Sequence, residues 1–176
     1  LIRVCRRFES CRAHHLFLGM VWGMKSYEFF MQEALLEGRK ALAKGEIPVG
    51  AVVVLDGEII GRGHNLRETE HNATAHAEII ALREAGKKLG TWRLTGAVLY
   101  VTLEPCPMCA GALVQARLER VVYGADDPKS GAAGSLLNIP QFPGWNHFVK
   151  ITGGVLAEEA TALLQEFFQE RRKKKP

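Results

Sequence analysis

The chain has 176 residues, enough for one domain with a real core and too few for two of ordinary size. With 47% hydrophobic and 24% charged residues it fits neither an intrinsically disordered chain nor a membrane-spanning one, and its four cysteines form no disulfide framework. The net charge of +4 is gathered at the ends: Arg3, Arg6, Arg7 and Arg12 near the start, and Arg171 to Lys175 as a basic tail.

Residues 1–24 show no clean period. Four arginines ahead of the apolar run 16–24 resemble the first two parts of a signal peptide, but no small-x-small cleavage site follows and Lys25 comes directly after. The stretch is read as a dispensable N-terminal extension from an early start codon, with Met24 or Met20 as the working start. Cys5 and Cys11 could pair in an oxidising compartment, without a framework around them. From residue 26 the pattern becomes regular. Apolar residues at Tyr27, Phe30, Met31, Ala34, Leu35, Ala41 and Leu42 predict a helix over 26–44, closed by Gly45. A buried strand over 49–55 turns at Asp56-Gly57 into a second strand over 58–64. After a polar loop over 65–72 comes a helix that Gly90 ends, then a strand over 97–103, a helix to about residue 117 and a strand over 120–124. A helix joins these two strands, so they should be parallel with a right-handed crossover. The Gly- and Pro-rich segment 126–146 is a loop with a short helical turn near Leu136. A fifth strand over 148–152 and a helix over 157–172 complete the order. One α/β domain over 25–176 follows, its mixed sheet lying between helices and no segment spanning a membrane.

The chemistry is concentrated in two helix starts. Cys106 and Cys109 stand at C-x-x-C spacing where a strand pattern gives way to a helical one, and Pro107 suits the first helical position. The helix dipole and free amides favour thiolates there. Thirty residues upstream, His76 opens another helix. A histidine, a glutamate two residues on and a following P-C-x-x-C are the established signature of zinc deaminases. His76, Cys106 and Cys109 offer three ligands to one zinc, leaving a fourth position for water. Glu78 points to a different side from His76 and can face that water as the general acid and base.

These residues also carry a family likeness. TAHAE at 74–78, TLEPCPMCAGA at 102–112, GHN at 63–65, GAAGS at 131–135 and FFQERR at 167–172 resemble the bacterial tRNA-specific adenosine deaminases of the cytidine deaminase-like superfamily. The resemblance covers about residues 25–173. It implies the three-layer cytidine deaminase-like fold with a mixed five-stranded sheet flanked by helices. It implies a cytoplasmic, zinc-binding homodimer that converts the wobble adenosine of a tRNA anticodon stem-loop to inosine. It adds Asn65 as a contact to the target nucleoside and Asp127 as a residue near the nucleotide backbone. The C-terminal helix supplies Phe168, Arg171 and Arg172 as further substrate-binding residues.

Blander readings stand beside each of these. C-x-x-C at a helix start is also the arrangement of a redox dithiol, which His76 argues against. A zinc module that only binds RNA would leave Glu78 without a purpose. A small-molecule deaminase acting on guanine or cytidine shares the zinc signature, and the basic tail and GAAGS loop speak against it. Asn65 is also an ordinary turn residue, and Phe167 and Phe168 are core-type residues, of which adjacent helical positions allow one to be buried and the other exposed. The apolar surface of Ala110, Gly111, Leu113 and Val114 on the cysteine helix suggests a dimer contact or packing on the chain's own sheet.

Overall fold

The computed structural model describes residues 26–173. The N-terminal extension with its arginine cluster, Cys5, Cys11, Met20 and Met24, and the tail residues Lys174 and Lys175, lie outside the described residues.

The order of elements follows the hydrophobic periods. Helix α1 (Tyr27–Ala43) is capped by Ser26, whose side chain accepts from Phe29 N–H at 3.3 Å. Strands β1 (Gly50–Leu55) and β2 (Glu58–His64) form an antiparallel hairpin. Asp56 and Gly57 both take positive φ, 51° and 78°, as a two-residue turn matched to strand twist requires. Then come α2 (Ala77–Leu89), β3 (Val98–Leu103), α3 (Pro107–Gln115), β4 (Arg120–Ala125), β5 (Lys150–Thr152) and α4 (Ala157–Lys173). The sheet runs β2-β1-β3-β4-β5, with β1 antiparallel to both neighbours and β3, β4 and β5 parallel.

Alternation along the central strands makes three layers. Ala51, Val53, Leu99, Val101 and Val121 join Ala77, Ala81, Leu113 and Val114 of α2 and α3 in one core. Val52, Val54, Tyr100 and Val122 face the other way, onto Phe30, Met31 and Ala34 of α1. Helix α4 packs on β4 and beside α1 and buries Ala160, Leu163 and Phe167, with Ala160 over Gly124 and Leu163 against Gly38. The sheet is mixed and five-stranded, as expected.

Two local expectations shift, and a third had two readings. No helical turn forms near Leu136. Glu104 takes the N–H groups of Ala133 and Ser135, and the segment is pinned by a bridge between Ala133 and Asn138. Strand β5 is shorter than 148–152 because Val149 N–H bonds Pro140 O instead of the ladder. The small apolar side chains of α3 are used at home: Ala110, Leu113 and Val114 are buried within the chain, which leaves Gly111 and Ala112 half-buried on its outer side.

Helix α2 lies unusually close to β2 because two glycines face it. A Cβ at Gly63 would sit 2.2 Å from Ala77 O and 2.6 Å from Ala81 N, and one at Gly61 would sit 2.2 Å from Ala81 O. Gly63→Ala must therefore push the start of α2 off the sheet. We expect a loss of about 1–3 kcal/mol, read as a thermal midpoint lowered by about 2–4 °C per kcal/mol.

Candidate active site

Because β1 runs against its neighbours, its start meets the ends of β2 and β3 at one end of the sheet. Ligand crevices in open α/β sheets form outside the carboxyl ends of parallel strands, and here a cleft of about 160 Å³ opens there. Its lining includes Asn65, His76, Glu78, Cys106 and Asp127.

His76 is the N-cap of α2 and Cys106 the N-cap of α3, and neither side chain caps its own helix. They turn towards each other. His76 Nδ1 stands 3.7 Å from Cys106 Sγ and 3.5 Å from Cys109 Sγ, and the three donor atoms all lie within 4.8 Å of one another. A tetrahedral zinc site, with bonds near 2.3 Å to sulfur and 2.0–2.1 Å to nitrogen, has N···S edges of about 3.6 Å. One imidazole and two sulfurs also match zinc's preference among ligands. The spacing and chemistry of the three donors fit such an ion.

The electrostatics of the cluster agree. The Cys106 thiol is drawn down to about 4 by a hydrogen bond from Cys109, against the effect of burial, with His76 assisting. Cys109, fully buried, is pushed up by the bond it gives to Cys106 and by desolvation. Hydrogen bonding to Cys106 raises His76 against its partial burial, and the Glu78 charge adds to the rise. Glu78, at the second position of α2, is 4% exposed. Burial raises its carboxyl above the ordinary range, although its own backbone N–H and the nearby His76 oppose the rise. It stands outside the three-atom cluster while facing the same cleft.

The remaining expected residues divide. Asn65 and Asp127 are brought to the cleft. The Asp127 carboxylate is occupied in building its own loop, accepting from Lys129 N–H at 2.9 Å, Ser130 N–H at 3.1 Å and the Ser130 hydroxyl at 2.5 Å. Phe168, Arg171 and Arg172 lie on α4 and are exposed there, outside the cleft lining. Phe167 is buried and Phe168 is not, and the Arg171 guanidinium lies 5.4 Å from the Phe167 ring centre.

Residues 25–172 match the family model of MafB19-like deaminases. The chain is 57% identical over 152 residues to a tRNA-specific adenosine deaminase of Bacillus subtilis (strain 168), covering 86% of this chain and 94% of the relative. The chain belongs to the tRNA-specific adenosine deaminases. A solved structure from work on A-to-I editing by tRNA:A34 deaminases at the wobble position superposes with a TM-score of 0.74 at 46% identity, covering 76% of this chain and 97% of the other. A guanine deaminase of Nitrosomonas europaea gives a TM-score of 0.69 at 29% identity, over 82% and 85% of the two chains.

Three buried acids, Glu37, Glu46 and Glu104, were not singled out from sequence, and Glu104 lines the cleft. Glu104 is 2% exposed and accepts from the N–H groups of Asp127 at 3.0 Å, Ala133 at 2.9 Å and Ser135 at 3.0 Å, and from the Ser135 hydroxyl. Burial opposes its ionised form, and these donors hold it below the usual carboxylate range. A Cβ at Gly131 would come within 2.2 Å of Glu104 Oε2, so the first glycine of GAAGS is demanded by this carboxylate. The available signal was an acid ending an otherwise apolar strand, directly before Pro105 and Cys106.

Proposed function

We propose that this chain is a zinc-dependent hydrolase that converts adenosine to inosine at the wobble position of the tRNA anticodon, with the anticodon stem-loop as the bound element. The observation that carries the reading is the meeting of His76, Cys106 and Cys109 at metal-ligand spacing beside the buried Glu78, in a chain 57% identical to a tRNA-specific adenosine deaminase. His76, Cys106 and Cys109 would hold one zinc per chain, and the ion would supply water activation at neutral pH. Glu78, buried in the cleft wall, is placed to take a proton from the attacking water, deliver it to N1 of the adenine ring and assist ammonia's departure from C6. A carboxyl raised by burial is suited to both halves of that transfer. The free amides at the starts of α2 and α3 favour the anionic ligands and the negative charge that develops. Asn65 contacts the nucleoside, and the loop built around Asp127 forms the opposite wall.

The working unit in this reading is a cytoplasmic homodimer. Its support is an apolar groove of about 940 Å³ between α2 and α3, lined by Ile79, Leu82, Trp92, Ala112 and Ala116, with Trp92 60% exposed. No helix among the described residues is long and apolar enough to cross a membrane.

Phe168, Arg171 and Arg172 serve the RNA outside the cleft, Phe168 through a base and the arginines through phosphates. Deleting residues 171–176 removes five cations. Neutralising phosphates releases counterions, by about 0.7 per contact on single strands, so the deletion should weaken tRNA binding and flatten its salt dependence with zinc content unchanged. An unaltered slope in filter binding at several salt concentrations would make the tail a solubilising end only.

Deamination of guanine or cytidine is the second reading, favoured by the likeness to the guanine deaminase. Ammonia release measured side by side with tRNA, an anticodon stem-loop, guanine and cytidine separates the two. Release from the RNAs alone is expected; release from a free base or nucleoside alone would replace the first reading with the second.

A further inference from the structure

Glu46 lies in the turn between α1 and β1, beside the cleft but outside its lining. Only 1% of its surface is exposed. A carboxylate is costly to bury unless donors meet its oxygens, and here they do. Thr69 N–H donates to Oε1 at 2.7 Å, while Glu68 N–H and Asn65 Nδ2 each donate to Oε2 at 3.3 Å. Burial works against ionisation, yet Thr69, through its N–H and its side chain, with the Glu68 N–H and the Arg67 charge, keeps the group below the ordinary carboxylate range.

An ionised carboxylate can only accept, so only the nitrogen end of the Asn65 amide can face it. The usual two-fold ambiguity of an asparagine side chain is thereby removed. Asn65 is 5% exposed, and among the described residues its Oδ1 takes no donor; it is also not sealed from solvent. The cleft is the surface that Asn65 lines together with His76, Glu78 and Cys106.

We infer that Glu46 is a positioning residue: it locks the Asn65 amide so that Oδ1 and the second N–H meet the nucleoside in a fixed order. The inference rests on the reading of Asn65 as a substrate contact given above. An unlocked amide would turn over and exchange acceptor for donor, presenting the wrong partner to a fixed ligand edge. Glu46 also anchors the backbone at 68 and 69, so loop anchoring is the rival role.

A double-mutant cycle separates the two roles. Glu46→Gln keeps the size and an acceptor for Thr69 N–H, but its new NH₂ group invites Asn65 Oδ1 and lets the amide turn. The expected result is a fall in kcat/KM on anticodon stem-loop RNA of about 10-fold or more with zinc content unchanged, while the Glu68 N–H that loses Oε2 lowers the melting curve equally with Asn65 or Ala at position 65. In the Asn65→Ala background the same change should cost less than about 2-fold, because there is no amide left to orient. Equal losses in both backgrounds would overturn the inference in favour of loop anchoring. So would a harmless Glu46→Gln in a protein that Asn65→Ala impairs. A fully active Asn65→Ala would instead overturn the substrate contact on which the inference rests. Should Glu46→Gln alone not fold, the swap asks the same question. Asn65→Asp sets carboxylate against carboxylate, and adding Glu46→Gln should restore about 10-fold of the lost kcat/KM by turning an N–H back towards residue 65. A double variant worse than Asn65→Asp alone would contradict the positioning role.

Discussion

Glu78→Ala is expected to abolish inosine formation almost completely while tRNA affinity, zinc content and fold remain. General acid–base groups contribute about 10²–10⁴-fold, and in the proposed mechanism Glu78 handles several proton movements in turn, so the loss should reach or pass the upper end. The rival role is that of an acid in the first turn of α2, attracted by the helix dipole. That role would make the substitution cost about 0.3–1 kcal/mol of stability and leave turnover nearly intact. Burial argues against it. A carboxyl 4% exposed and pushed up by desolvation has been placed where its charge is disfavoured, which a purely structural site would avoid. The alanine variant should melt no lower than the parent, and single-turnover rates read the difference directly. Lost zinc together with lost activity would instead make Glu78 a ligand or the support of one.

The second large effect belongs to the sulfurs. Cys106→Ala or Cys109→Ala should reduce bound zinc from about one per chain to a small fraction and take activity to background, since two protein donors no longer complete a catalytic site. The two variants should differ in stability. Cys109 is fully buried at the third position of α3, so its truncation also leaves a void, whereas Cys106 is half-buried at the N-cap. Metal analysis by mass spectrometry after gel filtration settles the ligand assignment. Full zinc occupancy in both variants would remove these residues from the site.

The parts of the fold that read directly from sequence are those governed by one dominant local cause. The 3.6-residue period of α1, the Asp56-Gly57 turn and the left-handed Gly90 that closes α2 at φ 66° each leave a local mark. So does the placement of His76, Glu78 and the cysteine pair, because helix starts and fixed spacings are local. What escaped was set by partners far along the chain. The loop around Leu136 is non-helical because Glu104, about 30 residues earlier, takes its amides. Val149 leaves the β5 ladder for Pro140. Glu46 looks like an ordinary acid after a helix-ending glycine, and only the folded chain shows Asn65 and Thr69 closing over it. The small residues of α3 carried no sign of which face each would take until the sheet beneath them was in place.

Position-resolved detection of inosine tests the central claim most directly. Purified protein is incubated with unmodified tRNA bearing adenosine at the first anticodon position, and the product is reverse-transcribed, where inosine is copied as guanosine. The account predicts adenosine-to-guanosine conversion at that one position, absent with Glu78→Ala. Conversion spread over many adenosines, or none at all while the same zinc-loaded protein deaminates free guanine or cytidine, would contradict it.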